Sequence, residues 1–190
     1  MLGCAGRSVA PVQSETVVVL VRHAERASQD ANANLSPEGL ARAEELASIA
    51  QTLGVSAIYT TDLCRTAQTG HPAAVVLGVP LRVVATGSTG AGLASCTPAI
   101  GVRQEAAGSL SADALAQRIL TDHAARTVLV LGHSNTVPAL MGALLGASAC
   151  PGHIPLEEGR CVLREDEYGD VFVVRIAAGD VAVDRRRFGN

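Results

Sequence analysis

The sequence predicts an α/β fold, a three-layer α/β/α sandwich built around a mainly parallel central sheet. Three observations predict it. Runs of branched apolar residues such as 16–21 and 127–131 are hydrophobic without interruption, as strands buried on both faces are. Segments with helical spacing alternate with those runs, in the order of βαβ units. Hydrophobic residues make up 48% of the 190, enough to bury the core of one domain. Residues 16–190 read as that domain, and residues 1–15 as a flexible N-terminal tether.

Each element has a local reason. After strand 16–22 comes a polar loop, 28–35, and then Ser36-Pro37-Glu38-Gly39 opens a helix. Ser36 suits the N-cap, Pro37 the first helical position and Glu38 the positive helix end. Leu40, Ala43, Leu46, Ala47, Ala50 and Leu53 recur at helical spacing, and Gly54 stops the helix. Residues 55–59 form a short strand. Thr60-Thr61-Asp62 caps a second helix that runs toward Leu77, with a kink or break expected near Pro72. Strand 81–85 follows the turn at Gly78-Val79-Pro80. Residues 86–108, rich in Gly, Ser, Thr and Ala, read as a long functional or mobile loop. A helix over 111–124, a strand over 127–131 and a helix from Asn135 to Leu145 complete the βα alternation. Residues 160–164, 171–177 and 181–187 read as late strands, the first two paired as a hairpin around Tyr168-Gly169-Asp170.

Composition excludes several classes. The formal net charge is −3, against the basic surface of a general nucleic-acid binder. Aromatic residues are only 2%, too few for base-stacking platforms. No segment approaches the roughly 20 apolar residues of a membrane span. Met1-Leu2-Gly3-Cys4 resembles the end of a bacterial lipoprotein signal, with a lipid on Cys4. The alternative is a chance match, so both a cytoplasmic protein and an extracytoplasmic lipoprotein stay open. The five cysteines, Cys4, Cys64, Cys96, Cys150 and Cys161, lack the spacing of a structural zinc site. Without Cys4 four remain, to pair in an oxidising compartment or to stay reduced.

The chemistry concentrates in two strings, Arg22-His23-Ala24-Glu25-Arg26 and Gly132-His133-Ser134-Asn135. Each follows a buried strand, and ligands of open α/β sheets gather at the carboxyl ends of strands. A phosphoryl group carries about two negative charges and several acceptor oxygens, which the planar fork of arginine matches. A neutral imidazole can attack phosphorus and carry the phosphoryl group on nitrogen. His23 is therefore the candidate nucleophile, with Arg22 and Arg26 as clamps. His133, protonated, would stabilise the transferring group. Ser134 and Asn135 open a helix, whose free N–H groups favour anions. Arg65, just after strand 55–59, is the third phosphate arginine.

These residues resemble the histidine phosphatase superfamily, whose fold is called phosphoglycerate mutase-like. The family's Arg-His-Gly stands here as Arg22-His23-Ala24. Residues 35–39 match its Leu-Ser-Pro-Glu-Gly helix opening, residues 61–69 its second arginine motif, and Gly132-His133-Ser134 its late Gly-His-Ser. The match runs in order from residue 16 to about 146. The resemblance implies a small single-domain branch, similar to phosphohistidine phosphatases, in which His23 is phosphorylated and then hydrolysed. It implies a phosphate pocket of Arg22, Arg26, Arg65, His133 and Ser134, without metal or cofactor. The substrate would be a phosphorylated small molecule or a phosphoprotein. Many members also use a carboxylic acid after the third strand; Glu105, the sole carboxylate of 86–110, reads either as that acid or as a surface residue, with Asp113 nearer an exposed helix start.

Plainer readings stand beside these. Glu25 reads as an arginine's ion-pair partner, and His71, His123 and His153 as structural or exposed. Gly87, Gly90 and Gly92 lack the Gly-Lys-Ser/Thr ending of a nucleotide loop. Arg185-Arg186-Arg187 reads as a solvated strand end. Two further functions compete with the phosphatase: a catalytically weak or inactive phosphate- or phosphoprotein-binding protein of the same fold, and a metal-dependent hydrolase. The chain leaves no room for the long insertions of glycolytic mutases.

Overall fold

The computed structural model describes residues 15–87, 92–146, 154, 156–157, 160–164, 166–178 and 180–188. The expected tether with Cys4 lies outside them apart from residue 15, and so do Gly90, Cys150 and His153. Nine strands and four helices are assigned among the described residues, with one 3-10 turn at Gly92–Ser95. The strands are β1 Thr16–Arg22, β2 Val55–Thr61, β3 Leu81–Val84, β4 Gln104–Gly108, β5 Thr127–Gly132, β6 Leu156–Glu157, β7 Arg160–Cys161, β8 Asp170–Ala177 and β9 Asp180–Arg187. The helices are α1 Pro37–Thr52, α2 Cys64–Leu77, α3 Ala112–Asp122 and α4 Thr136–Leu145.

Seven strands form one sheet in the order β4-β3-β2-β5-β1-β8-β9. The first five run parallel, and β8 and β9 add an antiparallel edge. The expected sandwich is present. Because side chains alternate along a strand, odd residues of β1 (Val17, Val19, Val21) face α1 and α2, and even ones (Val18, Leu20) face α3 and α4. Small residues let α1 and α2 pack closely on the sheet: Ala47 and Ala50 on one helix, Ala67, Ala73 and Ala74 on the other.

Four expectations are corrected. The stretch 86–108 is not all loop, since 104–108 adds β4 to the sheet edge beside β3. Its sequence, Gln-Glu-Ala-Ala-Gly, carries no strand signal, and half-exposed edge positions do not demand one. The second helix begins at Cys64 rather than at a Thr60-Thr61-Asp62 cap, because β2 continues through Thr61. The helix runs through Pro72 to Leu77 as one element. Finally, β8 pairs with β1 and β9, and the short β7 with β6. The run Val171–Val174 is wholly buried, so it belongs inside the sheet, not in an isolated hairpin.

The start of α1 is tightly specified. Ser36 caps it by accepting from the Gly39 amide (3.2 Å), and its own amide donates to the Glu25 carbonyl (2.9 Å). A Cβ on Gly39 would collide with that same Glu25 backbone. Glu25 pairs with Arg42, as expected of it, at 2.6 Å. A disulfide joins Cys64, at the start of α2, to Cys96, and Cys161 is also disulfide-bonded. Gly39→Ala should destabilise the fold by about 1–3 kcal/mol through backbone overpacking, read as a lower urea midpoint at unchanged slope.

Candidate active site

Strand register brings the two histidine strings together. β1 and β5 are parallel with Arg22 opposite Gly132, so the next residues, His23 and His133, leave the sheet side by side. The His23 amide donates to the Gly132 carbonyl at 2.9 Å, and the ring centroids lie 5.5 Å apart. Gly132 has no room for a side chain: a Cβ would sit 2.8 Å from Thr136 Oγ1, because α4 starts immediately beyond. One strand over, β2 ends at Thr61, and α2 then delivers Arg65. His23, Arg22, Arg26, Arg65, His133, Ser134 and Asn135 line one cavity of about 820 Å³.

The His23 ring has a fixed tautomer. Its Nδ1 lies 2.8 Å from the Ala24 carbonyl, which can only accept, so Nδ1 carries the hydrogen and Nε2 the lone pair. Ala24 is buried, and its methyl packs with Leu35 and Ala43; its amide donates to Thr69 Oγ1 at 3.0 Å. The family glycine is thus replaced by a residue whose side chain is accommodated.

His133 is oriented by a hydroxyl chain. Thr66 Oγ1 lies 2.8 Å from the Leu63 carbonyl and 2.7 Å from Thr61 Oγ1, which bonds His133 Nε2 at 3.1 Å. His133 Nδ1 is buried without a hydrogen-bond partner. Arg65 donates through Nη1 to the Ala31 carbonyl (2.7 Å), while its Nε is likewise buried and unpartnered. Arg26 donates to Gln29 Oε1 (2.7 Å), and Arg22 to the carbonyls of Arg164 (2.6 Å) and Glu167 (3.3 Å). Buried donors of this kind call for an acceptor.

Burial pushes the His23 pKa down to about 3 against an opposing bond to Ala24, and Arg22, His133 and Arg65 lower it further. Burial takes His133 down to about 4, with Arg65 and Arg22 acting the same way. Both imidazoles are neutral at pH 7. The expected protonated His133 is therefore not the form this pocket favours, because burial and the surrounding guanidiniums oppose another positive charge.

Other expectations fall differently. Glu105 does not line the cavity. It lies on β4 three residues before the strand end, roughly 10 Å back at ordinary strand rise, and pairs with Arg103 (2.6 Å) and Arg82 (3.7 Å). Asp113 sits in the exposed first turn of α3. Among the described residues no Asp or Glu lines the cavity, and no three His, Cys, Asp or Glu side chains gather where they could hold a metal ion. His123 is structural, bonded to the Tyr59 hydroxyl at 3.1 Å. The run Arg185-Arg186-Arg187 is not merely solvated, for Arg185 and Arg187 both pair with buried Asp170.

The sequence reading missed Tyr168. Its ring stacks on the Arg22 guanidinium, 4.5 Å from centroid to Cζ, and lies 6.2 Å from the His23 ring. β8 is antiparallel to β1, so the residues before it return to the edge where β1 ends.

Residues 18–86 match the sequence profile of the histidine phosphatase superfamily, branch 1. That stretch contains His23 and all three arginines but stops short of His133. No match is found among curated protein sequences. The fold is similar to that of the ecdysone phosphate phosphatase of Bombix mori, solved with tungstate: TM-score 0.61 at 16% identity, over 89% of this chain and 92% of that one. It is also similar to a candidate phosphohistidine phosphatase, SixA, of Agrobacterium tumefaciens (TM-score 0.55, 17% identity, 90% and 97% covered). A phosphoserine phosphatase of Entamoeba histolytica gives 0.53 at 17% identity, with 84% and 90% covered. The resemblance to the histidine phosphatase superfamily thus stands in the matched motifs and in the phosphoglycerate mutase-like fold.

Two outcomes follow for measurement. The unfolded chain restores both histidines to about 6.5, so below that pH it binds protons that the folded chain refuses. Their contribution to stability is full above pH 6.5 and is lost as pH falls toward 4 and then 3, at up to about 1.4 kcal/mol per pH unit for each. Urea midpoints at pH 7, 6 and 5 should decline, and the decline should flatten in the His23→Asn/His133→Asn variant. Tyr168→Leu removes a cation–π contact of about 0.5–2 kcal/mol and should weaken tungstate binding roughly 2- to 30-fold by calorimetry, whereas Tyr168→Phe should not.

Proposed function

We propose that this chain is a phosphatase of the histidine type, hydrolysing a phosphate ester or phosphoramidate through a phospho-His23 intermediate. The observation that carries the reading is the convergence of a neutral, tautomer-fixed His23 with Arg22, Arg26 and Arg65 in one cavity. The motif match over residues 18–86 supports the same class, and solved neighbours of this fold include enzymes that act on phosphorylated small molecules.

The reaction divides into two displacements. His23 Nε2 attacks phosphorus, an N–P bond forms, and the bond to the leaving group breaks, which keeps the electron pair and takes a proton from solvent. The three arginines hold the equatorial oxygens, whose charge they neutralise where it develops. Water then attacks phosphorus from the vacated side, loses a proton, and the N–P bond breaks to release orthophosphate and neutral His23. A phosphate dianion would reverse the balance at His133, drawing a proton onto Nδ1 so that it donates to a phosphoryl oxygen. The depressed pKa of that imidazole makes this protonation specific to the anion-bound state.

The lack of a carboxylate in the described lining favours a second reading, a phosphate-binding protein of the same fold without turnover. The two differ in one experiment. With p-nitrophenyl phosphate, the enzyme should turn over in the presence of chelator. His23→Ala should reduce the rate at least 1,000-fold, on the order seen when a covalent nucleophile is removed, with the thermal melt retained. Acid-labile, base-stable phosphate should be trapped on His23. Tungstate binding without any turnover would establish the binding protein instead.

A further inference from the structure

The cavity is far larger than a phosphoryl group requires, and its two sides differ in chemistry. The arginines and histidines occupy the side made by the ends of β1, β2 and β5. The opposite wall comes from the end of β3 and the first turns of α3 and α4, and it presents Val84, Leu110, Leu115, Val137 and Leu140. Three hydroxyls on that wall bond within the fold. Ser111 Oγ accepts from the Ala114 amide (3.2 Å), Thr136 Oγ1 from the His133 amide (2.8 Å), and Thr86 Oγ1 donates to Asp62 (2.7 Å). Among the described residues lining the chamber, no Asp, Glu or Lys meets a polar substrate body. A volume of about 820 Å³ is that of a small-molecule site.

We propose that the substrate is a phosphomonoester with a compact apolar body and a stabilised leaving oxygen, of the aryl phosphate class. This deepens the phosphatase reading and rests on it. The apolar side chains of that wall favour an apolar body, whose burial releases water from both surfaces. With no Asp or Glu in the described lining, the leaving group is selected too. When His23 Nε2 displaces the ester oxygen, a phenolate departs with the bonding pair and is protonated by solvent, whereas a serine or sugar alkoxide would need an acid at that point.

The test has a binding arm and a turnover arm, both on the full chain. By calorimetry, 1-naphthylmethylphosphonate should bind at least roughly 10-fold tighter than methylphosphonate. Equal affinities overturn the chamber, whether or not the protein is an enzyme. In turnover, kcat/KM for 1-naphthyl and phenyl phosphates should exceed that for phosphoserine and glycerol 3-phosphate by roughly 100-fold. It should also fall steeply with leaving-group pKa across substituted phenyl phosphates. Comparable turnover of phosphoserine, or a flat dependence on leaving group, overturns the substrate class. Tighter naphthyl phosphonate binding with no turnover of any ester defeats the phosphatase reading alone and leaves an apolar phosphate-binding chamber. Ala139→Phe, at an exposed α4 position bordering the chamber, should lower the naphthyl-to-acetyl phosphate ratio of kcat/KM about 10-fold; an unchanged ratio counts against the chamber.

Discussion

Mutual repulsion among three guanidiniums around two buried imidazoles is the constraint on which the rest depends. Burial lowers the pKa of Arg65 and of both rings, Arg22 acts the same way at all three, and Arg26 does so at Arg65 and His133. Such a site needs its cations fixed without being neutralised. Arg65 is held by a backbone carbonyl and Arg26 by a side-chain amide oxygen. Arg22 donates to two carbonyls under the face of Tyr168. Elsewhere the fold pairs arginine with carboxylate, as in Arg42 with Glu25 and Arg185 with Asp170. The neutral partners of Arg26 and Arg65 leave their charge available to a ligand at the strand ends.

The sheet makes that field possible. Five parallel strands end on one edge, and the β1–β5 register sets the two histidines on adjacent ends. Close packing fixes the rest: Gly39 lets α1 approach the Glu25 backbone, and Gly132 lets α4 begin beside His133. The buried hydroxyl chain Thr61–Thr66 aims the second imidazole. Each of these is a backbone or core requirement that serves the pocket indirectly.

Much of this was legible in the sequence because strongly periodic or uninterrupted apolar segments are legible. Strands 16–22 and 127–131 and the Ser36-capped helix follow from pattern and capping alone, and the motifs riding on their ends located His23, Arg22, Arg26, Arg65 and His133 in one cavity. The failures have a common cause. β4 is a half-exposed edge with no hydrophobic demand on its residues, and with it went the placement of Glu105, which faces two arginines rather than the cavity. Tyr168 belongs to a segment whose partner is β1, about 150 residues earlier in the chain, and long-range pairing leaves little local trace. A wholly apolar Val171–Val174 was the available signal that the late strand enters the sheet, and hence that the residue preceding it returns to the site.

The bond between Cys64 and Cys96 bears on the same constellation from outside it. It closes 32 residues of chain immediately beside Arg65 and, by restricting the unfolded ensemble, contributes about 3–4 kcal/mol in the loop-entropy account. Asn32 lies against it, accepting from the Cys64 amide while donating to Gly92 and Ser95. The loop that presents a carbonyl to Arg65 is thereby fastened to the same crosslinked unit. A guanidinium pressed toward two others is kept in place by a covalent strut, so the shape of the electrostatic field in this pocket is tied to the thiol chemistry of the surroundings in which the chain folds.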